Sequence, residues 1–245
     1  MSYEVRTIST VSELVKAKLI LAKEFHAINY ISTSDYPFFS QTLLDGRQIV
    51  LGIWRDGELI GSSGVVFDSA KGFPLDITYG DLVPKDGPFS RGKYGYCAQF
   101  LELSIDKSLD RSFIPFILLS KGIFWISVYG GAKFAISSVS PKHSGIWKKS
   151  VAAQILSEIR QYKSLQNVPS CLMAVDVEGI ISGEYIIPDF AIRQYLETPM
   201  PLSSAIQTHS PSHLAALATQ LQKAFQEVKP KERKDFLHEV QQSGL

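Results

Sequence analysis

The run CAQFLELSID, from Cys97 to Asp106, holds the side chains best suited to moving a proton. Glu102 places a carboxylate in an otherwise apolar, strand-like stretch. A carboxylate near an amine can accept its proton directly or through a water. Gln99, three residues earlier, can orient a water or an amine but cannot act as a base. In a regular strand, residues three apart face opposite sides. The two can therefore serve one centre only if the strand is bulged, because a bulge re-aims a side chain. Downstream, PKHSGIWKK (Pro141 to Lys149) brings His143 and Trp147 to the start of a helix. His143 is a candidate for a chemical role, with a surface or capping role as the alternative. The Trp147 indole only donates a hydrogen bond. For Glu102 the competing role is an ion pair or plain solvation.

These residues need a frame. Around them the pattern reads strand (Tyr96 to Asp106), polar turn (Lys107 to Ser112), apolar helix (Phe113 to Val128) and strand (Lys133 to Val139). A proline-led turn then opens a second helix that is expected to continue through Ser150 to Ser164. Upstream, Tyr3 to Ile8 reads as a short strand. Thr10-Val11-Ser12-Glu13 is a capping-box pattern. The helix after it puts Val11, Leu14, Leu21, Phe25 and Ile28 on one face, with Lys16 and Lys23 off that stripe. A looser aromatic region, Tyr36 to Phe39, follows. Arg47 to Trp54 and Glu58 to Phe67 form a hairpin about Arg55-Asp56-Gly57, where Asp-Gly supplies positive φ angles. Asp68 to Gly95 is a long connection rich in Gly, Pro and Asp, of the kind that often carries function. Ser170 to Val177 is an apolar strand. Beyond it the composition shifts. Asp189 to Leu196 reads as a short helix and Pro199 to Pro211 as a loop. Leu214, Leu217, Leu221, Phe225 and Val228 mark an amphipathic helix, and Lys231 to Gln242 a final one after Pro230. The expected division is a core over 1–177 and a helical extension over 178–245.

The 245 residues are 45% hydrophobic and 20% charged, with a formal net charge of +1. That balance supports a buried core and gives no global field for nucleic acid. Cys97 and Cys171 stand in separate apolar runs, too isolated for a disulfide framework. Free thiols fit a reducing, cytoplasmic setting, and MSYEVRTIST lacks an apolar leader. Phe113 to Val128 is interrupted by Lys121 and Gly122 and falls short of the ~20 apolar residues of a membrane span. It reads as a buried helix. His209 and His213 flank Pro211, which breaks a shared helical face, so no metal site is expected. No phosphate loop, dinucleotide fingerprint or G-x-S-x-G elbow occurs.

The order of elements from Tyr96 to Lys149 resembles the core of the GNAT acyltransferase superfamily. GFPLDITYGDLV (Gly72 to Val83), ELSID (Glu102 to Asp106) and PKHSGIWKK together resemble the branch of long-chain N-acyl amino acid synthases and acyl-homoserine-lactone synthases, over roughly Val5 to Val177. The resemblance implies an α/β (α+β) fold: a mixed, mainly antiparallel twisted sheet with helices on both faces. Its fourth and fifth strands would splay, and the thioester arm of an acyl donor would lie in the gap. Leu103, Ser104, Ile105, Arg111, Ser137 and Ser138 would then bind the donor, and Tyr96, Trp147 and His143 would line the substrate pocket.

Three positions and one turn depart from the family. Gln99 stands where relatives have a catalytic glutamate, and Glu102 where they have an arginine. Glu102 is thus the candidate base by its chemistry. Trp147 stands where relatives tend to have a tyrosine that protonates the leaving thiolate, which leaves Tyr96, Ser104, Ser137, Ser138 and His143 as other candidates. The turn Lys107 to Ser112 lacks the glycines with which acetyl-CoA-using members hold pyrophosphate. The implied co-substrate is an acyl thioester on acyl carrier protein or CoA, with nothing bound covalently. Lys107, Arg111, Lys142, Lys148 and Lys149 could form a basic landing face for an acidic carrier. The implied activity is transfer of a fatty acyl group to a small primary amine such as an amino acid. The alternatives are a catalytically inactive protein that binds acyl groups or the carrier and, more distantly, an acetyl-CoA-dependent acetyltransferase. Trp54, Phe67, Phe100, Phe134 and the apolar helix are expected to serve either as core or as lining for an acyl tunnel.

Overall fold

A computed structural model describes residues 2–30, 40–82, 96–162, 165 and 167–182. The expected helices beyond Ser182 and the aromatic run Tyr36 to Phe39 lie outside the described residues. In chain order the elements are β1 (Tyr3–Thr7), α1 (Val11–Ala27), α2 (Gln41–Leu44), β2 (Gln48–Arg55), β3 (Glu58–Phe67), α3 (Asp76–Tyr79) and β4 (Tyr96–Ile105). After them come α4 (Ile114–Tyr129), β5 (Ala132–Val139), α5 (Pro141–Val151), β6 (Gln154–Ile155), β7 (Arg160–Tyr162), β8 (Val168–Asp176) and α6 (Val177–Ser182).

The strands form one mixed sheet in the order β1-β2-β3-β4-β5-β8-β6, with β7 pairing to β8. Among the described strands only β4 and β5 run parallel; the other pairs are antiparallel. The expected hairpin is β2–β3, turned at Asp56 (φ 50°) and Gly57 (φ 87°). Strand alternation sends Leu51, Ile53, Ile60, Phe100 and Ala135 to one face, where Leu119, Ile123 and Phe124 of α4 cover them. Val50, Trp54 and Leu59 face the other way, against Leu14, Val15 and Leu19 of α1. Val66, Phe134, Ile136 and Leu172 continue that second face under Phe73, Leu75 and Tyr79.

Local sequence explains most boundaries. The Thr10 side chain accepts from the Glu13 amide while Glu13 reaches back to the cap, so α1 begins as its capping box requires. It ends at Ala27, and Ile28 of the expected stripe is 40% exposed. Within α1, Lys18 is buried, which its sequence position did not signal. α4 is buried nearly all round, Lys121 included. Burial alone pulls the Lys121 amine down to about 8. No described helix is long and apolar enough to cross a membrane.

The helix expected through Ser150 to Ser164 is a correction. α5 stops at Val151 because Ala152 turns left-handed (φ 52°), with the Ala153 amide returning to the Trp147 carbonyl. The chain then enters β6 and β7, which pair with β8. Those short strands satisfy their backbone groups by tertiary pairing, which a helical periodicity reading does not see.

Candidate active site

The centre of the sheet is forked. β4 pairs with β5 only from Tyr96 to Gln99, the last pair being Gln99↔Ile136. On its other edge β4 stays registered with β3 as far as Ile105↔Gly61. The β5-facing edge of Phe100 to Ile105 therefore has no strand partner among the described residues. β5 meanwhile follows β8 to Val139. Ser137 stands in the crotch of the fork, and its Oγ donates to the Phe100 carbonyl at 2.8 Å. A cavity of about 860 Å³ runs through the opening. Its walls include Gln99 to Ile105 from β4 and Ser137 to Val139 from β5.

A bulge in β4 decides which side chains enter this space. Leu101 pairs with Gly64 and Ser104 with Ser62, so two residues, Glu102 and Leu103, oppose the single Ser63, one more than a regular ladder holds. Glu102 within the bulge has φ 58°, a left-handed conformation unusual for a glutamate. Phe100 and Leu103 both turn to the α4 face, while Glu102 turns to α1, where it meets Lys18 in an ion pair. Gln48 Nε2 donates to the same carboxylate oxygen, Oε2, at 2.7 Å. Both bonds fall on Oε2, and Oε1 has no partner among the described residues. Gln48 is itself fixed, its Oε1 accepting from Ser40 at 2.6 Å and Thr42 at 2.9 Å. Gly64 is required beside it, because a methyl group there would collide with Gln48 Nε2. Lys18, Gln48, Ser40 and Thr42 were not singled out in the sequence; only the fold brings them to Glu102.

The other expected residues divide. Gln99 lines the cavity but is buried, and its Oε1 accepts from the Leu75 amide at 3.2 Å. Leu103, Ser104, Ile105, Ser137, Ser138, Arg111, His143 and Trp147 all line the cavity. The Ser104 hydroxyl is buried without a hydrogen-bond partner among the described residues. Trp147 packs against Phe100 (5.3 Å between ring centroids) and Phe116 (4.9 Å), making an apolar wall on the α4–α5 side. Of the residues considered for an acyl tunnel, Phe100 lies on the cavity with Phe113 and Phe116 from the apolar helix; Trp54 and Phe134 are buried in the clusters under α1 and Tyr79. Tyr96 opens β4 and pairs with Ala132, and its side chain lies outside the described residues. Tyr162, which the sequence reading placed in a helix, also reaches the cavity. Burial, then Tyr79 and Glu102, push its phenol up to about 12, so it keeps its proton at neutral pH.

The turn after β4 is closed on itself. The amides of Leu109 and Asp110 donate to the Asp106 carbonyl. The Ser108 amide donates to the Asp106 carboxylate and the Ser112 amide to the Asp110 carboxylate, at 2.9 and 2.7 Å. The Lys107 amide reaches Glu24 at 3.3 Å. Lys23 holds both oxygens of Asp106 at 2.8 Å. Burial raises the Asp110 carboxyl, but hydrogen bonds from Tyr3 and Ser112 and the nearby Arg55 outweigh it and hold it at about 2. Lys107 and Arg111 are exposed and line the cavity, while Lys142 is exposed on α5 but is not part of the lining. Lys148 and Lys149 sit in the last turn of α5, the far end of that helix. Among the described residues no group of three or more His, Cys, Asp or Glu could hold a metal.

A mixed sheet parted between its two parallel central strands, with a cavity passing through the parting, is the GNAT fold. The chain belongs to the N-acyl amino acid synthase FeeM family, whose model matches residues 16–176. The structure of FeeM, an N-acyl amino acid synthase from uncultured soil microbes, is 20% identical and has a TM-score of 0.62, with 72% of this chain and 91% of that one covered. BjaI, a CoA-dependent acyl-homoserine lactone synthase solved with MTA, is 9% identical with a TM-score of 0.61, covering 88% and 100% of the two chains. The AHL synthase LasI is 9% identical with a TM-score of 0.55, covering 83% and 98%. At these identities the likeness is one of fold. Comparison with curated proteins gave no match.

Proposed function

We propose that the protein transfers a fatty acyl group from a carrier-protein thioester to a small primary amine. The observation that carries this reading is the fork. Its unpartnered strand edge offers backbone groups to an extended thioester arm in the way an open sheet edge accepts a peptide. Buried main-chain groups need such partners. The apolar wall of Phe100, Phe116 and Trp147 suits an acyl chain, and Glu102 faces the opposite side, where an amine would approach.

In the reaction the amine nitrogen attacks the thioester carbonyl carbon. The new C–N bond replaces the C–S bond, and the electron pair leaves on sulfur. Glu102 Oε1 accepts the proton that the nitrogen loses, and the thiolate is the net destination of that proton. A free amine is mostly protonated at neutral pH, so the ammonium first releases a separate proton to solvent, and the proton that Glu102 takes is the one lost as the C–N bond forms. The Tyr162 phenol is placed on the cavity as a hydrogen-bond donor. Gln99 holds Leu75 in place and takes no proton.

The closed turn favours a carrier protein over free CoA. Amides that would receive a diphosphate are already bound to Asp106, Asp110 and Glu24. Three carboxylates at that turn leave no free amide cradle for a diphosphate. An acidic carrier would meet Lys107, Arg111 and Lys142 from outside.

The test is incubation of the purified chain with acyl carrier protein bearing medium and long chains, plus a panel of amines, with products read by mass spectrometry. Amide formation that depends on the chain is expected. Carrier affinity without any amide would support the competing reading, a binding protein without turnover, which the engagement of Glu102 by Lys18 favours.

A further inference from the structure

Gln48 opens β2 and is buried behind the cavity wall. It does not itself line the cavity, whereas two residues it joins, Ser40 and Glu102, do. The two ends of its carboxamide have different partners. Nε2 donates to Glu102 Oε2 at 2.7 Å, and Oε1 accepts from the Ser40 and Thr42 hydroxyls at 2.6 and 2.9 Å. An ionised carboxylate only accepts, while a hydroxyl can donate or accept. Turning the amide over would set its oxygen against the Glu102 carboxylate. The charge on Glu102 therefore decides the orientation, and the donors run one way, from the hydroxyls through the amide to the carboxylate.

Three neighbouring elements are shaped to this group. Ser40 also caps α2, its Oγ accepting from the Leu43 amide at 3.4 Å, and Thr42 lies within the same short helix. β3 gives way with Gly64, where a methyl group would collide with Gln48 Nε2. From α1, Lys18 reaches the same carboxylate oxygen, Oε2. Glu102 needs such support because it sits in a bulge at φ 58°, where the ladder no longer sets the direction of its side chain. With the amide and the ammonium both on Oε2, a proton arriving at Glu102 goes to Oε1, and neither donor has to move.

We propose that Gln48 is a positioning residue: held from behind by Ser40 and Thr42, it fixes the Glu102 carboxylate so that Oε1 takes the proton of the attacking amine. Gln48 touches neither the acyl donor nor the acceptor and acts only through Glu102. This rests on the acyl-transfer reading and deepens it at the base.

Gln48→Met keeps the length of the side chain and removes both ends of the amide. The full chain and its variants, checked for folding by circular dichroism, are given acyl carrier protein loaded with a long-chain acyl group and the amine that yields most amide. Product is followed by mass spectrometry. Gln48→Met is expected to lower kcat by about 10²-fold and to change KM for the loaded carrier by less than about twofold. In the Glu102→Gln background the same substitution should change kcat by less than about twofold, because its effect passes through that carboxylate. Thr42→Val removes one hydroxyl behind the amide and keeps the shape. It should lower kcat by itself and add no loss to Gln48→Met. Full kcat in Gln48→Met, the same loss in both backgrounds, or an added loss from Thr42→Val overturns the positioning role and leaves acyl transfer standing. No amide from the unaltered chain with any amine overturns both.

Discussion

Glu102 combines two features that rarely coincide, a left-handed backbone within a strand and a buried ion pair. The bulge turns the side chain toward α1, and Lys18 holds one carboxylate oxygen while the other has no partner among the described residues. Removing one partner of a buried pair strands the other charge, at a cost of roughly 3–5 kcal/mol. Glu102→Gln is therefore expected to lower both stability and amide formation, the latter by ~10²–10⁴-fold if Glu102 is the base. Adding Lys18→Met should recover much of the stability in denaturant melts but none of the activity. Recovery of activity in the double variant would contradict the base assignment. Glu102 was legible in the sequence because a carboxylate interrupts an apolar strand. Lys18 was not, because a lysine in a helix reads as solvated until the packing of α1 on β4 is known. The bond from the Leu75 amide to Gln99 depends on a loop whose path the sequence does not give.

At the level of elements, the turn between β4 and α4 sets the shape of the cavity mouth. Asp110 anchors it through Tyr3, Ser112 and Arg55, tying the turn to β1 and β2. Its carboxyl lies at about 2 instead of 3.8. A depressed carboxyl contributes stability that is present above the unfolded value and is lost as the pH falls toward the folded one. Between about pH 4 and pH 2 this anchor is expected to fail, contributing ~1–2 kcal/mol of acid destabilisation. Asp110→Asn should lose a similar amount at pH 7, and its stability should fall less steeply across the acid window. Identical pH profiles by calorimetry would refute the anchor. The boundaries of β4, α4 and β5 followed closely from hydrophobic pattern. The segment after Val151 did not, because β6 and β7 are short and owe their form to β8.

Across the whole molecule the decisive property is that a continuous sheet opens between strands that begin as partners. Sequence pattern alone gives two apolar strands. The expectation that they part came from the resemblance to GNAT proteins, and the register stopping at Gln99↔Ile136 supplies the parting. The same opening separates an apolar wall at α4 and α5 from a polar one at α1, so donor and acceptor can approach from different faces. The most direct measurement is a structure of the chain with a non-hydrolysable S-acyl pantetheine. The arm should lie between β4 and β5, pairing with the edge of Phe100 to Ile105, with its acyl chain beside Trp147 and Phe116. An arm bound outside the fork, with β4 and β5 closed on each other, would contradict the account.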